Sequence, residues 1–326
     1  MYKVSRYTAE DKIEWDRFIA TAKNATFLFQ RDFMDYHQDR FEDFSLMIYK
    51  NEKLYALLPA NKKNEVVYSH EGLTYGGLLL NNSAKLKQTF DAFKEINKFL
   101  FENGIQKLEV RLIPPSYNKL PSDELEYLFF KAAARLIKRD VVLLVDYHHQ
   151  LPFQKNRREG INKAKRKNLV VKTDDNYDLF WNEVLIPNLS SKYNTAPVHS
   201  LEEITYLASK FPNRIRQVNV YQDNTIVAGT TVFLTDRVVH PQYVSAKANK
   251  NELGSLDLLY DFIIQEFKEN RNYFSFNTSS EENGELLNEG LLFWKESCGA
   301  RPHVFNSYEI ETASYKTLEF KTIFFF

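Results

Sequence analysis

What most limits the folds open to this chain is a repeat of element order at a fixed spacing. The polar turn KNEK begins at position 50 and the polar turn QDNT at 222, an interval of 172 residues. Val66-Val67 and Val238-Val239 keep that interval, and so do the helix starts near 83 and 255. Identity between the copies is nearly absent, so what repeats is the order of helices and strands. Self-similarity of this length decides the architecture before any single motif does. Each copy reads as two helices, three strands, a helix, a strand, a helix and a strand. The middle strands meander and the later ones are separated by helices, which predicts a mixed sheet in each copy. The expected fold class is α/β with mixed sheets. It is divided into a first domain at 1–150, a basic linker at 151–172 and a second domain at 173–326.

Periodicity supplies the elements. Leu86, Phe90, Phe93, Ile96 and Leu100 recur at helical spacing over 83–102, and Leu256, Leu259, Tyr260, Ile263 and Phe267 do so over 255–269. Helices are also expected at 10–21, 31–41, 122–138 and 285–297, with the first forty residues largely helical. Strands are expected at 44–49, 54–60, 66–70 and 105–113, and at 215–221, 226–234, 238–246, 273–277 and 303–310. The segment 273–308 forms a strand, a polar elbow at 278–284, a helix and a strand. The carboxyl end of a strand in an α/β sheet is where such folds commonly place ligands.

Charge and cysteine content exclude several classes. The 43 basic and 43 acidic residues balance, which argues against DNA or bulk nucleic acid as the main partner. The single cysteine, Cys298, excludes an internal disulfide and a multi-cysteine metal site, and fits a reducing compartment. The start, MYKVSRYTAEDK, has no apolar core, and no apolar run nears the ~20 residues of a membrane span. A cytoplasmic protein with neither signal peptide nor span is the expectation. The apolar tail FKTIFFF would be a last strand or a peripheral contact. Nucleotide-binding, zinc-hydrolase and nucleophile-elbow motifs are absent, and His148-His149 point to opposite faces of a strand, so no metal is expected.

Six stretches carry a family likeness: SHEGLTYGG (69–77), RREGINKAKRKN (157–168), PVHSLEEI (197–204), IVAGTTVF (226–233), LGSLDLLYDFII (253–264) and NTSSEENGELLNEGLLFWKESCGA (277–300). Together with the repeat, they resemble the FemAB-like branch of the GNAT acyltransferases, two GNAT-like domains in tandem. The resemblance covers nearly the whole chain and reaches the GNAT proteins of bacterial surface-polysaccharide gene clusters. It implies an N-acyltransferase acting on an amine of a cell-envelope precursor, an amino sugar carried on a nucleotide or a lipid. Acetyl-CoA or another acyl-CoA would be the donor. A Fem-type enzyme using aminoacyl-tRNA, a non-catalytic glycan-precursor binder and an RNA-binding protein led by the basic segment are the alternatives.

By the same resemblance, the junction of Asn251, Leu253, Gly254 and Ser255 corresponds to the loop that cradles the pyrophosphate of coenzyme A. Exposed N–H groups and the helix dipole attract an anion at such a junction. The usual pattern has Gln or Arg where Asn251 stands and Gly or Ala where Leu256 stands. Proton transfer during amide formation falls to carboxylates and tyrosines, here Glu289, Tyr243 and Tyr308, with Glu281 beside them. Glu289 precedes Gly290, which fits a ligand's close approach or plain helix packing. Asn277 either contacts the reactants or caps a turn, and Lys295 either binds phosphate or pairs across the surface. His70 and Tyr75, in the first domain's glycine-rich stretch, would hold the acceptor or serve only a tight turn. Arg158 and its basic neighbours would meet phosphates or form a solvated helix face. Cys298 is expected to be a small buried apolar residue.

Overall fold

A computed structural model describes residues 1–320. The apolar tail beyond Phe320 lies outside the described residues. The chain divides into two compact units, one of Met1–Asp140 together with the chain from Val304 onward, the other Val141–His303. The basic segment expected to link two domains lies inside the second unit.

The first unit opens with strand β1 (Tyr2–Arg6), where helix was expected, and then helix α1 (Lys12–Thr21). The helix expected over 31–41 is only a short turn at Arg31–Met34 and a tighter one at Asp35–His37. The chain there wraps around the buried guanidinium of Arg31. That group sits over the Tyr7 ring at 3.8 Å and pairs with Asp35 and Asp43. A hairpin of β2 (Leu46–Lys50) and β3 (Lys53–Leu58) follows, then β4 (Asn61–Lys63), β5 (Val66–Tyr68) and β6 (Leu79–Leu80). Helix α2 (Leu86–Glu102) leads to β7 (Lys107–Arg111), and α3 (Glu124–Lys131) to β8 (Arg135–Asp146). The helix expected through Lys138 stops early because Ala133 turns into the left-handed region (φ 52°). Strands β1, β2, β3 and β6 form one antiparallel sheet. Strand β5 pairs parallel with β7, which also takes residues 307–311 as an antiparallel neighbour. The apolar faces of α2 and α3 close the core, with Phe90, Phe93, Ile96, Leu128 and Phe129 buried.

The second unit begins with the end of β8 and helix α4 (Lys155–Arg166), the basic segment. Strand β9 (Val170–Thr173) precedes a single long helix, α5 (Tyr177–Phe180) continuing into α6 (Ile186–Tyr193) through a wide turn at Trp181–Leu185. Pro187 lacks the N–H that would close a regular turn there, and the Ile186 N–H reaches back to the Trp181 carbonyl instead. Helix α7 (Leu201–Lys210) and strands β10 (Ile215–Gln222), β11 (Thr225–Leu234) and β12 (Val238–Ala246) follow. A short helix, α8 (Lys250–Leu253), bends at Gly254 into α9 (Ser255–Glu266). Next come β13 (Tyr273–Thr278), a small hairpin of β14 (Ser280–Glu281) and β15 (Leu286–Leu287), helix α10 (Glu289–Ser297) and β16 (Arg301–Glu311). The last helix starts four residues later than expected. Asn288 sets its start by accepting the Leu291 N–H at 2.9 Å.

Helix α4 lies directly against α9. A Cβ added to Gly254 (φ 70°) would stand 2.2 Å from the Gly160 carbonyl oxygen, and one on Gly160 would stand 1.8 Å from a carboxylate oxygen of Asp257. Arg157 holds that carboxylate at 2.8 Å. Gly254→Ala is therefore expected to lower unfolding stability by about 1–3 kcal/mol, through the left-handed backbone and the collision with α4. Urea unfolding checks this, and an unchanged midpoint would show that the two helices do not pack this tightly.

Candidate functional site

The candidate site lies where two parallel strands stop pairing. Strand β12 meets β13 at Val238–Tyr273 and Val239–Phe274 only. Beyond that, β12 stays with β11 as far as Ala246, while β13 follows β8. Strands that part leave backbone groups without ladder partners, and buried ones must find others. Asn277, in the left-handed region at φ 60°, gives its side-chain amide to the Pro241 carbonyl at 2.7 Å and so braces β13 to β12 across the gap. Lys295 supplies the next contact. Its side chain is buried, and Nζ donates to the carbonyls of Asn277 at 3.0 Å and Thr278 at 2.5 Å. Among the described residues it has no carboxylate in ion-pair reach. Burial pulls its ammonium from the ordinary lysine value down to about 7.

Tyr243 stands two residues beyond the brace. Its ring packs edge-on to Trp181 in the wide turn, and its hydroxyl meets Nδ1 of His199. The same hydroxyl accepts the backbone N–H of His199 at 3.1 Å. Burial raises the phenol to about 12. His199 had no chemistry assigned from sequence. The signal near it was the capping box of Ser200 and Glu203, with 3.1 Å and 2.7 Å bonds, which marks His199 as the residue just before α7. Nothing local indicates that it faces a tyrosine 44 positions on.

No protein-family model matches this sequence. No curated protein matches it either. Solved structures do. The crystal structure of FemX superposes with a TM-score of 0.65 at 8% identity, over 97% of this chain and 99% of that one. The C-terminal domain of an Agrobacterium fabrum protein described as a lysylphosphatidylglycerol synthetase gives 0.61 at 12% identity, over 95% of each chain. A tandem GNAT protein from the clavulanic acid biosynthesis pathway gives 0.50 at 9%, over 96% and 99%. The fold is the tandem GNAT fold, and FemX superposes on it along nearly the whole chain. At these identities the likeness is one of architecture, as the 172-residue repeat had led us to expect.

Within that fold, Asn277 and Lys295 meet at the parted strands, whereas Tyr243, two residues past Pro241 on β12, has its ring against Trp181 and His199. Glu289 is exposed at the first position of α10, six residues before Lys295, and Glu281 accepts the Asn288 amide at 2.9 Å in the adjoining hairpin. Asn251 is exposed, and its carbonyl takes Nζ of Lys163 at 3.2 Å. Leu253 and Ser255 are buried, and the close approach that Gly254 permits is to Gly160 of α4. Arg158 is exposed on α4. The remaining candidates belong to the first unit. Tyr308 donates to Glu126 at 2.8 Å, which with burial raises its phenol to about 12. Tyr75 is buried and donates to Thr26 at 3.2 Å. His70 is buried against Phe41 and His37, and burial first, then His37, holds its imidazole at about 3. Cys298 is buried and its thiol is raised to about 12, which suits a packing role. No helix of the described residues is long and apolar enough to cross a membrane, and none of their His, Cys, Asp and Glu side chains gather to hold a metal.

The state of Lys295 can be read from stability. Unfolded, it keeps its proton up to the ordinary lysine value of 10.5; folded, only up to about 7. Between those values the unfolded chain binds the extra proton, so this group makes stability rise with pH across that window. Wild type should thus gain on Lys295→Met as pH rises from 7 toward 10, by no more than about 1.4 kcal/mol per pH unit. A difference that does not vary with pH would mean the ammonium stays charged throughout.

Proposed function

We propose that this chain is an acyltransferase that moves an acyl group onto an amine, and that the reaction takes place where β12 and β13 part. The observation that carries this reading is Lys295. In its ammonium form it has three N–H donors. Two go to the carbonyls of Asn277 and Thr278. The third is left for an oxyanion forming as an amine attacks a carbonyl, and a donor placed in advance in a dry site is worth most to such a charge. The rest of catalysis is positioning, with no covalent intermediate. Tyr243, on β12 two residues past the Pro241 brace, would receive the proton of the attacking amine.

The acceptor we favour is an amino sugar of a surface-polysaccharide or other cell-envelope precursor, with acyl-CoA as donor through the junction of Asn251, Leu253, Gly254 and Ser255. One observation favours the Fem-type alternative, an aminoacyl-tRNA donor and a peptidoglycan precursor. The backbone face of Gly254 is filled by Gly160, which leaves less room for a pyrophosphate there, while Arg158 and Lys165 of α4 point to solvent. The likeness to FemX in fold agrees with that alternative.

The test runs two donors side by side, acetyl-CoA and alanyl-tRNA, with UDP-linked amino sugars and a peptidoglycan precursor as acceptors. Amide product is followed by mass spectrometry and donor release by thiol or tRNA assay. Transfer from one donor identifies it, and Lys295→Met should reduce that rate by about 100-fold or more. Tight binding of a precursor without transfer from either donor would instead make the chain a binding protein.

A further inference from the structure

We infer that His199 is the residue through which Tyr243 takes up the acceptor's proton, so that the two side chains act as one relay. The inference rests on the acyl-transfer reading above. Its basis is geometric. Tyr243 is half-buried on β12, two residues past the Asn277–Pro241 brace. Its oxygen already accepts the His199 backbone N–H at 3.1 Å, so the phenol's own proton is directed to Nδ1 of the same residue. That leaves an oxygen lone pair for an incoming N–H.

The surroundings hold this arrangement in place. His199 is buried, and the capping box of Ser200 and Glu203 anchors it at the start of α7. The His199 ring stands at 90° to the Tyr243 ring, and Trp181 packs edge-on to the Tyr243 ring at 71°. Trp181 is fully buried and is carried into place by the wide turn between α5 and α6. The charged group felt at Tyr243 is Glu203 of α7, and Gln242 of its own strand lies beside it.

The step balances as follows. The amine nitrogen forms a bond to the acyl carbonyl carbon and loses one proton to the Tyr243 oxygen. The phenol proton moves to Nδ1 of His199, giving an imidazolium. The bond between the acyl carbon and the donor's sulfur or oxygen breaks, and the leaving group takes the electron pair and a proton from solvent. The imidazolium then returns its proton to solvent. Nothing is oxidised or reduced. Burial keeps a lone phenol protonated, and a neutral phenol is too weak a base to take the amine's proton. Passing the phenol's own proton to a neighbouring imidazole removes that obstacle.

Because His199 acts through Tyr243, the test separates chemistry from folding. The full-length chain is assayed with whichever of acetyl-CoA or alanyl-tRNA serves as donor, with a UDP-linked amino sugar as the amine. His199→Gln keeps a hydrogen-bond partner for the phenol but cannot titrate near neutrality. It should lower kcat by about 100-fold with KM within about twofold, and flatten the rise of kcat with pH. His199→Ala should be equally slow and should recover with added imidazole, whereas Tyr243→Phe should be slow and gain nothing from it. Unchanged kcat in His199→Gln, a change confined to KM, or a slow His199→Ala that imidazole fails to restore would each overturn the relay while leaving acyl transfer standing. No transfer by the wild type from either donor would overturn the acyl-transfer reading and the relay together.

Discussion

The rest of the second unit is arranged around a loss of backbone partners between two parallel strands. Strands β12 and β13 share only two residue pairs before each turns to its other neighbour. Buried carbonyls at that point must be satisfied by something other than a ladder. Asn277 and Lys295 meet the need with side chains, one amide and one amine. Among the described residues, an amine in that position is held without a carboxylate partner, and burial lowers its proton affinity. A structural requirement and a chemical capability therefore reside in the same atom. In the proposed reaction the parted strands would take a ligand, and the group that repairs their backbone would give it a third donor.

The second organising contact is α4 against α9. Gly160, Ile161 and Ala164 form the inward face of α4, and Gly254 permits the approach. Arg157 turns inward to Asp257, whereas Arg158, Lys165, Arg166 and Lys167 stay in solvent. A run of positive charge thus serves two purposes. One side is part of the packing, and the other is a cationic surface that a phosphate-bearing donor would meet. The glycine that a loop-by-loop comparison assigns to a ligand is occupied by a neighbouring helix.

Much of this was readable from the chain in order. The long amphipathic helices α2 and α9 follow from apolar spacing, and the β2–β3 and β10–β11 hairpins from alternation and polar turns. Elements that depend on distant partners were misjudged. Tyr2–Arg6 is too short to show a period, and it is a strand because β2 pairs with it. Residues 31–41 have helical character, but the pairing of Arg31 with Asp35 and Asp43 bends them. The helix at 122–138 ends at Ala133, which takes a conformation unusual for alanine. For the site, Tyr243, Asn277 and Lys295 were singled out by residue type and place. The meeting of Tyr243 with His199 was invisible, because the two are brought together only by packing α7 against β12.

The sequence by itself determined the tandem architecture, since a constant interval between like elements is a property of order along the chain. It also determined the class of side chains available for chemistry. The tertiary structure decided which of them are neighbours. Tyr308, His70 and Tyr75 fall in the first unit, Tyr243, Asn277 and Lys295 fall in the second, and there Lys295 bonds to Asn277. It decided, too, that Lys295 lies buried against two carbonyls, where the sequence left open a phosphate ligand or a surface pair. The physical reason is that periodicity reports which face of an element is apolar, while the proton affinity of a lysine depends on what surrounds its last atom. That surrounding is assembled from β13 and α10, and exists only once both are packed.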